Sequence, residues 1–265
     1  MLFQGGTLIS DFLLAWCKHE AYEIKGKFVV PKWGAVDGEA VNRKSPIISE
    51  EGEAFKDFTR LGENFSEKEL LKWVHKYGLL KDNTVDSKEK VSFIKKEAEE
   101  FCRLVGLYRL IQEKNYAALQ QRVNYKPTVP FLREGEEDET AFVDGHYVGQ
   151  RKATKKTKGL LTLDAFFYLA FSIEERIKGV RLTFTRVTVG EDAEYEIIPA
   201  LCVNSPLEMV YTEFFLAVAR NDKVKQCQNK RCKGFFFIDQ KRADAKYCSD
   251  NCRRNAYYHR HKNKV

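Results

Sequence analysis

Cys227, Cys232, Cys248 and Cys252 stand as two close pairs in the stretch CQNKRCKGFFFIDQKRADAKYCSDNC, with spacing C-x4-C, fifteen residues, C-x3-C. Thiols so arranged are a disulfide staple, a redox couple or a metal cage. The chain has no run of 18 or more apolar residues, and its first residues lack the basic and apolar regions of a secretion signal. A reducing, cytoplasmic setting is therefore expected. There structural disulfides are rare, and thioredoxin-type chemistry would need C-x-x-C, which is missing. Zinc takes four soft ligands in a tetrahedron, and two short-range pairs supply that geometry. Four thiolates leave no coordination position for water or substrate, so one structural Zn2+ is expected and metal-assisted hydrolysis is not. The other thiols, Cys17, Cys102 and Cys202, lie in apolar surroundings and read as small core residues. His19, His75 and His146 are scattered singly and read as structural or exposed.

The fifteen residues between the pairs, KGFFFIDQKRADAKY, have room for two short strands, Phe235 to Ile238 and a return through Lys246 and Tyr247. Ser249, Asp250 and Asn251 are good caps ahead of CRRNAYYHRHK, which puts the last pair at a helix start. A knuckle, a hairpin and a helix whose first turn carries the final ligand describe a treble-clef zinc finger. A unit that small cannot build its own core, so the metal would supply much of its folding free energy.

This tail resembles the C-terminal treble-clef fingers of bacterial CGNR-type transcription regulators. The resemblance rests on Cys227 with Cys232, on Phe237 and Asp239, on Lys246 ahead of Tyr247-Cys248-Ser249, and on the Arg- and Lys-dense helix from Cys252 onward. The namesake Cys-Gly-Asn-Arg stands here as Cys252-Arg253-Arg254-Asn255, and the second pair has three intervening residues rather than four. The resemblance implies a regulator whose finger binds DNA.

Charge bears on the same question. Between Lys223 and Val265 there are 13 Lys or Arg against three acids, a balance of +10, whereas the other 222 residues carry −3. All the net positive charge is in the tail, an arm for a polyanion on an ordinary body. With 249–264 helical, Arg253, Tyr257, Arg260 and Lys264 fall along one stripe, with Arg254, Tyr258, His261 and Lys262 beside it. Arginine and lysine there offer phosphate contacts, and tyrosine offers stacking on a base or sugar. Nucleic acid, duplex DNA first, is the expected partner; an RNA or an acidic protein stays open. A homodimer is compatible with this reading, and no membrane partner is expected. A treble-clef nuclease of the HNH kind needs a His in the hairpin after the first pair. Residues 233–247 contain none, and His259 and His261 lie on the helix instead, so no catalytic residue is expected.

A chain of 265 residues that is 43% hydrophobic is long and apolar enough to bury a core, and a large domain with a small one is expected. Residues 2–5, Leu-Phe-Gln-Gly, match part of a common tag-cleavage site and are assigned no element. SEKELLKWVHKYG begins on a capping box, Ser66 with Glu69, and stops at Gly78. Apolar residues at helical spacing from about Asp86 to Val123 make one long helix or two. TLDAFFYLAFSIEERIKG reads as a helix from Thr162 to near Gly179, and SPLEMVYTEFFLAVAR as one capped by Ser205, with Pro206 in its first position and Glu208 completing a capping box. RLTFTRVTV and AEYEIIPALCV read as strands around a hairpin. REGEEDETAFVDGHYVGQRKATKKTKG, acidic then basic, reads as a solvated linker or loop whose basic half, Arg151 to Lys158, is a secondary phosphate candidate. The expected fold is α+β. A mainly helical body over residues 1–222, with a small β-hairpin, senses an effector or dimerises, and a treble-clef zinc finger follows over 223–265.

Overall fold

The computed structural model describes residues 21–32, 52–81, 88–127, 138–152, 157–189, 194–238 and 244–262, with the strand segments 13–18, 35–36, 39–40 and 45–48. Six short strands come first: β1 (Leu13–Lys18), β2 (Tyr22–Lys25), β3 (Phe28–Pro31), β4 (Ala35–Val36), β5 (Glu39–Ala40) and β6 (Ser45–Ile48). Helices α1 (Glu53–Glu63) and α2 (Glu67–Tyr77) follow, then β7 (Glu89–Lys90), α3 (Val91–Gln112) and α4 (Tyr116–Arg122). The middle of the chain holds β8 (Val123–Pro127), β9 (Asp138–Val143), β10 (His146–Lys152) and α5 (Lys158–Arg176). The last part runs β11 (Arg181–Val189), β12 (Glu194–Cys202), α6 (Pro206–Ala219), β13 (Lys223–Gln226), β14 (Phe235–Ile238) and α7 (Asp250–Lys262). The fold is α+β, with seven helices among the described residues and small, mostly antiparallel sheets.

Helix α6 is apolar nearly all round, and a helix of that kind belongs at the centre of a core. Its Met209, Val210, Tyr211, Phe214 and Ala217 are fully buried. Phe214 meets Phe55 of α1 and Phe101 of α3 at ring distances of 5.8 and 5.5 Å, and Phe55 meets Phe101 edge-on at 5.5 Å. Helix α1 has no side-chain cap of its own, since Gly52 occupies its N-cap. The buried carboxylate of Glu213 replaces one, accepting from the Phe55 backbone N–H at 2.7 Å. An acid at a helix N-terminus satisfies an orphan donor and opposes the dipole.

The local signals place α2 and α6 as expected. Ser66 Oγ accepts from Glu69 N, and Ser205 Oγ accepts from Glu208 N. The returning halves of both boxes go elsewhere: Glu208 accepts from Asn204 N at 2.6 Å, and Glu69 pairs with Lys72 and Arg60. The long apolar stretch resolves into two helices. They break at 113–115, where Lys114 is left-handed and Asn115 caps α4 by accepting from Ala118 N. Helix α5 starts at Lys158 rather than Thr162, because Thr157 caps it by accepting from Leu160 N, while the Thr162 hydroxyl donates to Lys158 O. Strands β11 and β12 form the expected hairpin, and β12 also pairs in parallel with β1.

Residues 138–152 of the acidic-then-basic segment are not a linker; 133–137, most of its acidic run, lie outside the described residues. Strands β8, β9 and β10 form an antiparallel sheet, and β9 turns into β10 at Asp144 and Gly145, both with positive φ. Two left-handed residues suit the twist of a tight hairpin, and Asp-Gly tolerates them. Arg151 is committed inward: it pairs with the fully buried Asp164, which also accepts from Tyr125 OH at 2.8 Å. Lys158 lies over the Tyr116 ring at 5.0 Å. Residues 153–156, the rest of that phosphate candidate, lie outside the described residues.

Candidate metal centre

The four sulfurs converge. Cys227, Cys232, Cys248 and Cys252 place their Sγ atoms within 4.8 Å of one another, the first two buried and the last two half-buried. Cys232 and Cys248 are 3.7 Å apart, and Cys248 and Cys252 3.4 Å. A tetrahedral ion with metal–sulfur bonds of about 2.3 Å sets its sulfurs roughly 3.8 Å apart, so the cluster fits one such ion. Protons shared among Cys227, Cys232 and Cys248 are held unevenly. Hydrogen bonds donated by Cys232 and Cys248 hold the Cys227 thiol down to about 2; the bond to Cys227 pushes Cys232 up to about 12 and raises Cys248 as well. A divalent cation removes that conflict by letting every sulfur bind as thiolate.

Three local devices build the cage. Strands β13 and β14 pair antiparallel, and the loop that joins them carries the first cysteine pair. Asn229, buried in that loop, organises it: its backbone O accepts from Cys232 N at 2.8 Å, its Oδ1 accepts from Arg231 N, and its Nδ2 donates to Cys252 O on α7 at 3.2 Å. The second pair sits at the start of α7, where Ser249 Oγ accepts from Cys252 N at 3.2 Å. The expected return strand does not form among the described residues. Lys246 and Tyr247 are irregular, and Lys246 O accepts from Gln228 N at 2.9 Å. Phe235 to Ile238 instead pair with residues upstream of the first cysteine, because β13 reaches them across a short loop.

This hairpin is sunk into the body. Phe235 belongs to the main core, and Phe237 stacks on Phe55 with ring centroids 4.1 Å apart. Thr59 of α1, fully buried, clamps the edge of β14: its Oγ1 accepts from Phe235 N at 2.9 Å and lies 3.1 Å from Phe235 O. Asn64 Nδ2 donates to Cys232 O, and Gln112 Oε1 accepts from Val224 N at 3.2 Å. Gly234 runs against α1 so closely that a Cβ would stand 3.1–3.2 Å from the Cα, Cβ and N of Arg60. Thr59→Val, which keeps the shape and removes the hydroxyl, leaves the Phe235 N–H buried without a partner. It is expected to lower stability by about 1–3 kcal/mol. Denaturant unfolding alongside elemental analysis checks this; a variant as stable as the parent would show that the clamp contributes nothing.

Beyond the cage, α7 divides into two faces. Cys252, Ala256 and His259 turn inward, and Arg253, Arg254, Tyr257, Tyr258 and Arg260 are exposed. Arg253 pairs with Asp250 at 3.2 Å, and Arg260 donates to Tyr247 OH. The side chains of His261 and Lys262, and all of Lys264, lie outside the described residues. A cavity of about 390 Å³ separates Cys248 and Ser249 from α1 and α2. Most of its charges pair with one another, Lys76 with Glu53 and Asp57 at 2.7 and 2.9 Å, and Arg60 with Asp57 and Glu69 at 3.4 and 3.6 Å.

Of the remaining cysteines, Cys102 is buried and donates to Thr59 O at 3.2 Å, and burial pushes its thiol up. The side chains of Cys17 and Cys202 lie outside the described residues, as does His19. His75 Nε2 lies 2.9 Å from Tyr22 O, and His146 stacks on Tyr168 at 5.3 Å. Asn229 and Thr59 are the residues sequence reasoning missed. An Asn inside a cysteine knuckle was a visible turn signal; Thr59 had none, because its partner is 176 residues away. No helix among the described residues is long and apolar enough to cross a membrane. No protein-family model, no curated protein and no solved structure matches this chain.

Proposed function

We propose that this protein binds nucleic acid, duplex DNA in particular, through α7, and that one structural zinc in a treble-clef-like finger fixes that helix to the body. In this reading the body is the sensing or dimerising part of a transcriptional regulator. The observation that carries it is the division of α7: Cys252, Ala256 and His259 turn inward, whereas five arginines and tyrosines face water. Zinc is the ion that four thiolates at tetrahedral spacing suit best among those that need no redox chemistry. Four thiolates and one divalent ion subtract about two charges from the tail's +10, and the arm stays strongly cationic. Strong cationic charge interleaved with exposed rings suits phosphate contact plus stacking.

The test is direct binding of the full chain to a labelled duplex, with unlabelled duplex, single strand and RNA as competitors. Duplex DNA competing best supports the reading; RNA competing best, or no binding at low salt, overturns it. Tyr257→Ala is expected to weaken binding by about 1–3 kcal/mol with the salt dependence unchanged, because a stacked ring neutralises no phosphate. Titrations at several salt concentrations check this.

A further inference from the structure

We propose that the exposed face of α5 is a two-fold interface, and that its occupant is a second copy of this chain. The stretch AFFYLAFSI, residues 165–173, carries no charge on either side of the helix. One side is used inside the chain, where Leu161, Ala165, Tyr168, Leu169 and Ile173 are buried. The other side presents Leu163, Phe166, Phe167 and Phe171 to solvent, Phe167 at 51% and Phe171 at 61% exposure. A helix at the surface of a lone molecule is expected to be polar there; one that is apolar on both sides is covered on both. Tyr147 of β10, 63% exposed, extends the patch, since it and Phe171 border one cavity of about 330 Å³.

Area and symmetry point to a second copy. At about 200 Å² for a large ring, these exposures amount to roughly 500 Å² of apolar surface. That is at the upper end of what lone proteins leave open. Two copies facing each other would bury about 1,000 Å² from these side chains alone, the area at which specific interfaces begin. The patch is also self-complementary. Leu163 and Phe171 lie four residues to either side of Phe167 and form one i±4 ridge, the kind that interdigitates in the commonest helix crossings. Two antiparallel α5 helices crossing at Phe167 set that ring against its own copy, and Leu163 against the other copy's Phe171. This is the isologous contact a two-fold axis demands. A membrane surface is the poorer occupant. Adsorbing helices carry a basic polar face, whereas the charges at the C-terminal end of this patch are of mixed sign, Glu174, Glu175 and Lys178, with Lys178 paired to Glu175 at 2.5 Å.

The proposal rests on α5 with Tyr147 of β10 and stands or falls separately from nucleic-acid binding by α7. Light scattering after size exclusion, on the full chain at micromolar concentration, is expected to give twice the 30.8 kDa chain mass. Phe167→Asp is expected to halve that mass with circular dichroism and metal content unchanged, and Phe167→Leu to keep the dimer. If Phe167→Asp fails to fold, Phe171→Lys, at the edge of the patch, makes the same prediction. A single-chain mass for the parent protein overturns the proposal, as does a dimer that survives both charged variants. Co-sedimentation of a monomeric parent with anionic vesicles, lost in the charged variant, would assign the face to lipid instead.

Discussion

Cys248→Ser is expected to leave the protein without its metal and to lower the melting temperature of the whole chain, not of its tail alone. From the sequence, a metal-dependent finger beyond residue 222 would unfold by itself and leave the body intact. The packing changes that expectation. Strand β14 carries Phe235 into the main core and stacks Phe237 on Phe55, the ring at the meeting point of α1, α3 and α6. Structural zinc contributes on the order of 10–16 kcal/mol to the folding of finger peptides, as much as a whole domain's net stability. Without it the loop between β13 and β14 loses its closure, and removing one buried Phe from such a core costs about 3–5 kcal/mol. At roughly 2–4 °C per kcal/mol for a chain of this size, a drop of about 10 °C or more is expected. Elemental analysis and a thermal melt followed at the helical signal check both halves. Metal retained in the variant would refute the ligand assignment; metal lost with an unchanged melt would show that the hairpin stands without it. Acid acts in the same direction, because protons compete with the ion for all four thiolates.

Arg253→Ala with Arg254→Ala is expected to leave metal and fold untouched and to flatten the salt dependence of DNA binding. Both arginines are exposed on the side of α7 away from the cage, and neither is within the core. A phosphate contact releases condensed counterions, so each one lost reduces the slope of log affinity against log salt by roughly 0.9 for duplex DNA. The double variant should therefore lose about two units of slope and bind every sequence on the order of 10–100-fold more weakly near physiological salt. On binding a phosphate Arg253 would give up its exposed pair with Asp250, a small loss, since such pairs contribute about 0–1 kcal/mol. Fluorescence anisotropy at several salt concentrations decides the matter. Unchanged slope and affinity would remove α7 as the nucleic-acid surface.

What the sequence determined by itself was whatever is decided within a few residues. The four cysteines and their spacing, the caps at Ser66 and Ser205, the hairpin of β11 and β12, and a basic helix whose first turn carries Cys252 are all local, and each stands in the structure. The β9–β10 turn was equally local, written as Asp144-Gly145, but the flanking charges outweighed it, because a run of charge reads as solvated until its partners are known. Those partners are tertiary: Arg151 belongs with Asp164 of α5, and Asp144 with Arg122 of α4. Helix α1 was not legible at all. Gly52 offers it no cap, and the carboxylate that serves as one comes from Glu213, 158 residues on. The partner of β14 was also a tertiary decision. Phe235 and Phe237 are drawn under α1 by the aromatic core, which takes the strand away from Lys246 and gives it to β13. Only the assembled fold, finally, separates the two sides of α5. Residues 165–173 are apolar on every side, and which side is left facing outward depends on what the rest of the chain has already covered.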